Sequence, residues 1–264
     1  MPPAANQVVF VRAQAPWSQP SALFKAIQAA PGFQAKLLAV QTIAPTDFKL
    51  ETNPDLAIIT SQNAVQAIAR SGEAEKFQGL PLACVGSKTA DLAGSLLGGE
   101  LRFTASTAKA LEQDLLAKNF QGSVAYVKPK EAAHDFAQLE SAVGPENWRS
   151  LVAYQTDSDS HNSALQDQLS RIFKQSSACD QAPCFLVYSY KCAQAFCEAV
   201  TVHQTAGSGS KTSKINLLAI SAPVAEALAQ GLAPGAVSIE VIPHPSERGF
   251  AQALTALFSP HLQV

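Results

Sequence analysis

Short apolar runs alternate with amphipathic stretches along most of the chain. Residues 8–11 (VVFV) form a β-branched apolar run. After a loop holding Pro16 and Pro20, residues 21–27 (SALFKAI) carry helical spacing that stops near Pro31-Gly32. The same pairing recurs: 57–60 (AIIT) leads into 63–68, 82–85 (LACV) into 89–92, and 124–127 (VAYV) into a helix-like 132–139. Apolar runs at 185–188 (FLVY), 217–220 (LLAI) and 239–242 (IEVI) are each followed by a helical pattern. Continuous apolar strands, as opposed to alternating ones, are buried on both faces. The predicted class is therefore α/β, with parallel sheets flanked by helices.

Two segments break this rhythm. Residues 36–45 (KLLAVQTIAP) and 148–156 (WRSLVAYQT) read as long extended stretches, each followed by polar, turn-rich sequence. They are the natural crossings between two lobes, with the middle of the chain as one lobe and the two flanking parts as the other. Two consecutive lobes with one hinge near 157–163 is the competing reading. The stretch 207–210 (GSGS) reads as a surface loop and not a boundary. A faint repeat supports two related units. Ile59-Thr60-Ser61 and Cys84-Val85-Gly86-Ser87 find counterparts roughly 130 residues later in Val187-Tyr188-Ser189 and Ala219-Ile220-Ser221-Ala222.

The chain's 264 residues suit about two domains at ~150 residues each. Only 15% of them are charged and the net charge is −2, which excludes a protein that holds nucleic acid by bulk electrostatics. No apolar run approaches the ~18 residues a membrane span needs. Five cysteines (84, 179, 184, 192 and 197), several in apolar runs, read as free thiols in a reducing, cytoplasmic setting. Residues 1–6 read as a short polar leader; an organelle-targeting peptide already removed stays open as an alternative.

In a parallel α/β sheet the ligand site lies at the carboxyl edge of the strands, where helices begin. Thr60-Ser61, Gly86-Ser87-Lys88-Thr89, Ser189 and Ser221 all fall there. Helix amino ends carry unpaired N–H groups and partial positive charge, so such turns can hold carboxylates or phosphates. Plain N-capping explains the same residues. Arg12 and Lys128, at the ends of the first and fourth strands, divide in the same way between anion contact and surface charge. Tyr154 lies in an apolar stretch, and its hydroxyl needs a partner if buried. The five histidines are scattered, no His/Cys spacing suits a metal, and no P-loop, G-x-G-x-x-G or G-x-S-x-G is present.

Residues 58–65 (IITSQNAV), 85–90 (VGSKTA) and 152–156 (VAYQT), with weaker support from 9–12 (VFVR) and 245–249 (PSERG), together resemble the uroporphyrinogen-III synthase family over nearly the whole length. The resemblance implies two facing α/β lobes, each a parallel sheet flanked by helices, joined by a two-stranded linker. It places 1–38 plus 158–264 in a discontinuous first lobe, 46–149 in the second, and 39–45 and 150–157 in the connecting strands. It also implies dehydrating cyclisation of hydroxymethylbilane, a linear octacarboxylate tetrapyrrole, to uroporphyrinogen III with its last ring inverted, on a lyase that uses no metal or organic cofactor. Tyr154 matches the family's catalytic tyrosine; Thr60, Ser61, Gly86, Ser87, Thr89 and Ser189 match binding turns, and Arg12, Lys88, Lys128 and Ser221 stand beside them. A monomer is expected, and transient contact with the preceding deaminase is compatible with that reaction. Three departures stand out: Ser221 and Val224 replace a Gly and a Thr, and Lys128-Pro129-Lys130 replaces a Gly after the strand. They keep open the alternative of a non-catalytic relative that binds a tetrapyrrole or another polyanion.

Overall fold

A computed structural model of the protein describes residues 5–179, 181–205, 214–233 and 237–258. Ten strands form one mixed α/β sheet, mostly parallel, and nine α-helices accompany them among the described residues. The strands are β1 (Asn6–Gln14), β2 (Phe33–Pro45), β3 (Leu56–Ile59), β4 (Pro81–Val85), β5 (Glu100–Ala105), β6 (Val124–Pro129), β7 (Trp148–Asp157), β8 (Cys184–Val187), β9 (Ile215–Ala219) and β10 (Val237–Val241). The helices are α1 (Ala22–Ala29), α2 (Gln62–Arg70), α3 (Ser87–Leu97), α4 (Ala108–Ala117), α5 (Ala137–Val143), α6 (Ser163–Cys179), α7 (Tyr190–Thr205), α8 (Ala222–Gly231) and α9 (Glu247–Phe258). The spatial strand order is β10-β9-β8-β1-β2-β7-β6-β3-β4-β5. By contact density the chain divides into two compact units, Met1–Thr42 with Asp157–Val264, and Ile43–Thr156. The long strands β2 and β7 carry the chain from one unit to the other.

In the first unit β10, β9, β8, β1 and β2 pair in parallel throughout. Side chains on β1 alternate between two cores, as the two-residue strand period requires. Val9 and Val11 pack with Phe185, Phe196 and Leu228 on one side. Val8 and Phe10 pack with Leu23, Ile27, Phe250 and Leu254 on the other. Both faces being covered is why β1 and β8 read as unbroken apolar runs.

The second unit repeats the plan with β7, β6, β3, β4 and β5, again parallel at every pairing. Leu56, Ile58 and Tyr126 pack with Leu111, Leu115, Leu139 and Trp148. The chain enters this sheet at Thr46, whose N–H and hydroxyl both bond β7, to the carbonyls of Ala153 (3.0 Å) and Val152 (2.5 Å).

Three sequence expectations differ from the structure. β5 is absent from the apolar pattern because it is the edge strand: Glu100, Leu101 and Arg102 are exposed, so the apolar-run signal never arises. The helix α4 that follows it escaped for the same reason of weak local contrast. The helix expected over 132–139 begins only at Ala137, because Phe136 adopts the left-handed conformation (φ 58) and the preceding residues form a loop. The loop expected at 207–210 and most of the polar leader lie outside the described residues.

Candidate functional site

Four strand ends of the second unit lie side by side: β7, β6, β3 and β4. Because the strands are parallel and about 4.8 Å apart, their carboxyl ends line one edge roughly 15 Å long. Thr60 and Ser61 follow β3, Gly86 follows β4, Lys128 is the penultimate residue of β6, and Tyr154 faces Pro129 across the β6–β7 ladder. The topology thus collects residues far apart in sequence along that edge.

Ser61 is the N-cap of α2, its Oγ accepting the Ala64 N–H at 3.1 Å. The capping reading is therefore correct for this residue, yet it does not exhaust it. The same Oγ lies 3.0 Å from the Tyr154 hydroxyl. A serine hydroxyl has two lone pairs and one proton, so it can cap the helix and still donate to the phenol. Tyr154 is 6% exposed. Burial pushes its phenol above the ordinary value, and its hydrogen bond with Ser61 opposes that shift.

A second phenol stands nearby. Tyr126 of β6 is fully buried and donates to the His134 carbonyl at 2.9 Å. Burial raises its pKa; the Thr60 hydroxyl opposes that shift, and the Tyr154 and Asp135 side chains add to it. The loop carrying His134 is pinned by Glu112 of α4, a carboxylate only 5% exposed. One Glu112 oxygen accepts the N–H groups of Gln138 (3.0 Å) and Leu139 (3.1 Å) at the start of α5. The other lies 2.8 Å from His134 Nε2. The sequence reading missed Tyr126, His134 and Glu112. A lone hydroxyl in the otherwise aliphatic 124–127 run was the available signal for Tyr126; the other two meet only through tertiary packing.

The Gly86 turn is built differently. Gly86 has φ 82 and ψ 140, a conformation that disfavours a side chain, and it caps α3 without a side-chain bond. Its carbonyl accepts from Thr89 and Ala90 (both 3.1 Å). Ser87 and Lys88 are exposed in the first turn, whereas Thr89 is buried. Thr89 therefore packs behind the turn and does not face solvent. Lys128 is half-buried, its Nζ 5.9 Å from the centre of the Tyr126 ring.

In the first unit Ser189 caps α7 through the Cys192 N–H (3.2 Å). Ser221 is the N-cap of α8 in extended conformation (φ −161) and makes no side-chain cap bond. That backbone is open to any residue, so a glycine is not required at 221 as it is at 86. Val224 is buried in the core of the first unit, matching the buried position of Thr89 in the second. Arg12 sits over the Tyr188 ring at 5.0 Å. Among the described residues no group of three or more His, Cys, Asp or Glu could hold a metal ion, and no helix is long and apolar enough to cross a membrane.

The chain is a parallel α/β protein whose helix amino ends and hydroxyl side chains lie at the carboxyl edges of its strands. Among curated proteins none matches the sequence significantly. A family profile, described as uroporphyrinogen-III synthase HemD, matches residues 23–241 and so spans most of the chain. The chain belongs to the uroporphyrinogen-III synthase family, and its function is uroporphyrinogen-III synthesis, a step of haem formation that acts on a tetrapyrrole.

Proposed function

We propose that the chain works as a dehydrating lyase on hydroxymethylbilane, with Tyr154 as the proton donor to the departing hydroxyl. The observation that carries this reading is the partly buried Ser61–Tyr154 pair at 3.0 Å beside the amino end of α2. With its oxygen committed to the Ala64 N–H, Ser61 can direct its proton at the Tyr154 oxygen. The phenol proton is then free for the substrate, and the incipient phenolate is stabilised by the Ser61 hydroxyl. The C–O bond of the hydroxymethyl group breaks with its electron pair on oxygen, which leaves as water. The substituted α-carbon of the last ring supplies the electrons for a C–C bond to the freed methylene. The bond from that carbon to the preceding ring's methylene then breaks, and the ring's unsubstituted α-carbon bonds that methylene instead, which inverts the ring with no nucleophile from the protein. The ring proton lost on rearomatisation can return to the phenolate.

Binding rests on the same edge. The N–H groups at the starts of α2 and α3, with Thr60, Ser61, Gly86, Ser87 and Lys88, suit the substrate's carboxylates, and Lys128 adds a charge beside them. Thr89, being buried, supports the turn in this reading. Arg12, Ser189 and Ser221 serve part of the substrate from the first unit. A monomeric state and a cytoplasmic, reducing setting belong to this proposal. Four buried free thiols, Cys84, Cys184, Cys192 and Cys197, support the last.

The test is a coupled assay in which hydroxymethylbilane is generated in place and the oxidised products are separated by chromatography. Uncatalysed closure yields the type I isomer. Type III product dependent on this protein is expected; type I alone from folded protein would reject the lyase reading and leave a tetrapyrrole-binding relative.

A further inference from the structure

We propose that the first unit contains a subsite for a single carboxylate-bearing pyrrole ring, built from Arg12, Ser18 and Ser21 with Phe24 and Leu37 as its apolar walls. A cavity of about 200 Å³ opens here, between the carboxyl end of β1 and the start of α1. It is smaller than the ~300–1,000 Å³ typical of sites that enclose a drug-sized ligand. One ring and its acid side chain match that size; a whole tetrapyrrole does not. The proposal rests on the reading above and extends it from the fact of binding to the fragment bound.

Three residues with donor groups, Arg12, Ser18 and Ser21, line this cavity. Arg12 is half-buried, its guanidinium held over the Tyr188 ring at 5.0 Å. The ion pairs among the described residues are Lys76–Glu73, Arg102–Glu100 and His134–Glu112, so Arg12 carries its charge outside any of them. Ser18 Oγ accepts the Ala15 N–H at 2.9 Å while the Ser18 N–H bonds the Ala15 carbonyl at 3.0 Å, which locks the serine in a tight turn. Ser21 Oγ accepts the Phe24 N–H at 3.2 Å as the cap of α1. In both serines a lone pair is used by the backbone, and the hydroxyl proton remains to be donated. The amino end of α1 contributes little by itself, because the Glu247 carboxylate already approaches the Leu23 N–H at 3.5 Å.

This donor set selects a carboxylate. A planar guanidinium with two neutral hydroxyls matches one carboxylate. Leu37 is 37% exposed and Phe24 half-buried, an apolar surface against which a flat ring can lie.

The experiment titrates the intact protein with a pyrrole bearing one propionate side chain, and with its methyl ester, following amide resonances by NMR. The acid should shift the amides of Ala15, Ser18, Ser21 and Phe24, and the ester should bind at least about tenfold more weakly. Arg12→Gln should weaken binding of the acid by a similar factor and raise KM for hydroxymethylbilane with little change in kcat. Equal binding of acid and ester to the unaltered protein would overturn the subsite without recourse to a variant. So would shifts confined to other regions, or an unchanged KM in folded Arg12→Gln. If the protein forms no type III isomer but the acid still binds here, the subsite stands and the lyase reading fails. If type III forms and the acid does not bind here, the reverse holds.

Discussion

Replacing Tyr154 by Phe removes one oxygen and leaves the ring, which is 6% exposed, in its packing. The lost contact is the 3.0 Å bond to Ser61, and Ser61 keeps its 3.1 Å bond from the Ala64 N–H. One neutral hydrogen bond contributes about 1 kcal/mol to stability. A positioned proton donor contributes about 10²–10⁴ in rate, or ~3–5 kcal/mol at 1.36 kcal/mol per tenfold. Tyr154→Phe should therefore melt only a few degrees lower, by roughly 2–4 °C, while kcat for type III formation falls at least about a hundredfold with KM little changed. The pH dependence follows from burial, which pushes the phenol above its ordinary value of 10.0. A folded-state pKa above the unfolded one means the phenol's stabilising effect is complete below about pH 10 and is lost as pH rises through the folded value. Across neutral and mildly alkaline pH the donor stays protonated, so no fall in rate below about pH 9 should trace to Tyr154. Stopped time courses of the coupled assay, with isomers resolved by chromatography, measure the rate; thermal unfolding at several pH values measures the stability. A variant that retains kcat within about threefold would remove Tyr154 from the chemistry.

Gly86→Ala forces a side chain into φ 82, where a Cβ meets no neighbouring atom but the backbone itself is strained. Denaturant unfolding should show a loss of about 1–3 kcal/mol, and a loss below about 0.5 kcal/mol would mean the turn relaxes to another conformation. Glu112→Gln removes the charge that holds two α5 amides and His134. A loss of about 2–4 kcal/mol is expected in the same measurement, together with faster amide exchange at Gln138 and Leu139; unchanged exchange there would contradict the pinning role. Burial pushes the Cys84 thiol up to about 12 and Cys197 up to about 11. At pH 8 peptide mapping after iodoacetamide should find both unmodified in native protein and both modified after unfolding; rapid native labelling would show that burial does not protect them.

The alternation of apolar runs with helical patterns was enough to establish the α/β class and parallel strands. Runs such as 8–11, 57–60 and 124–127 are apolar at every position because each is covered on both faces, a local signal of a global fact. The long extended readings at 36–45 and 148–156 correspond to β2 and β7 for a related reason: each is too long for an ordinary strand of a compact unit. Edge strand β5 and the start of α5 were not legible. At β5 burial is partial, and at α5 the boundary is set by Glu112, distant in sequence, and by the left-handed Phe136.

For the candidate site, the residue types at the strand ends were readable, since helix starts demand small hydroxyl residues and glycine. Whether each was a cap or a ligand contact was not, because both uses select the same residues. The tertiary structure fixes the place of each in the fold. It buried Thr89 and Val224 behind their turns, left Ser221 without a cap bond, and gave Ser61 both a cap and the Tyr154 phenol. It also brought Tyr126, His134 and Glu112 into one network that no spacing announces. Sequence determines which side chains a local turn or strand can tolerate, because those limits are steric and act within a few residues. Which hydroxyl faces which phenol depends on strand order and on the packing of distant helices, so only the folded chain decides it.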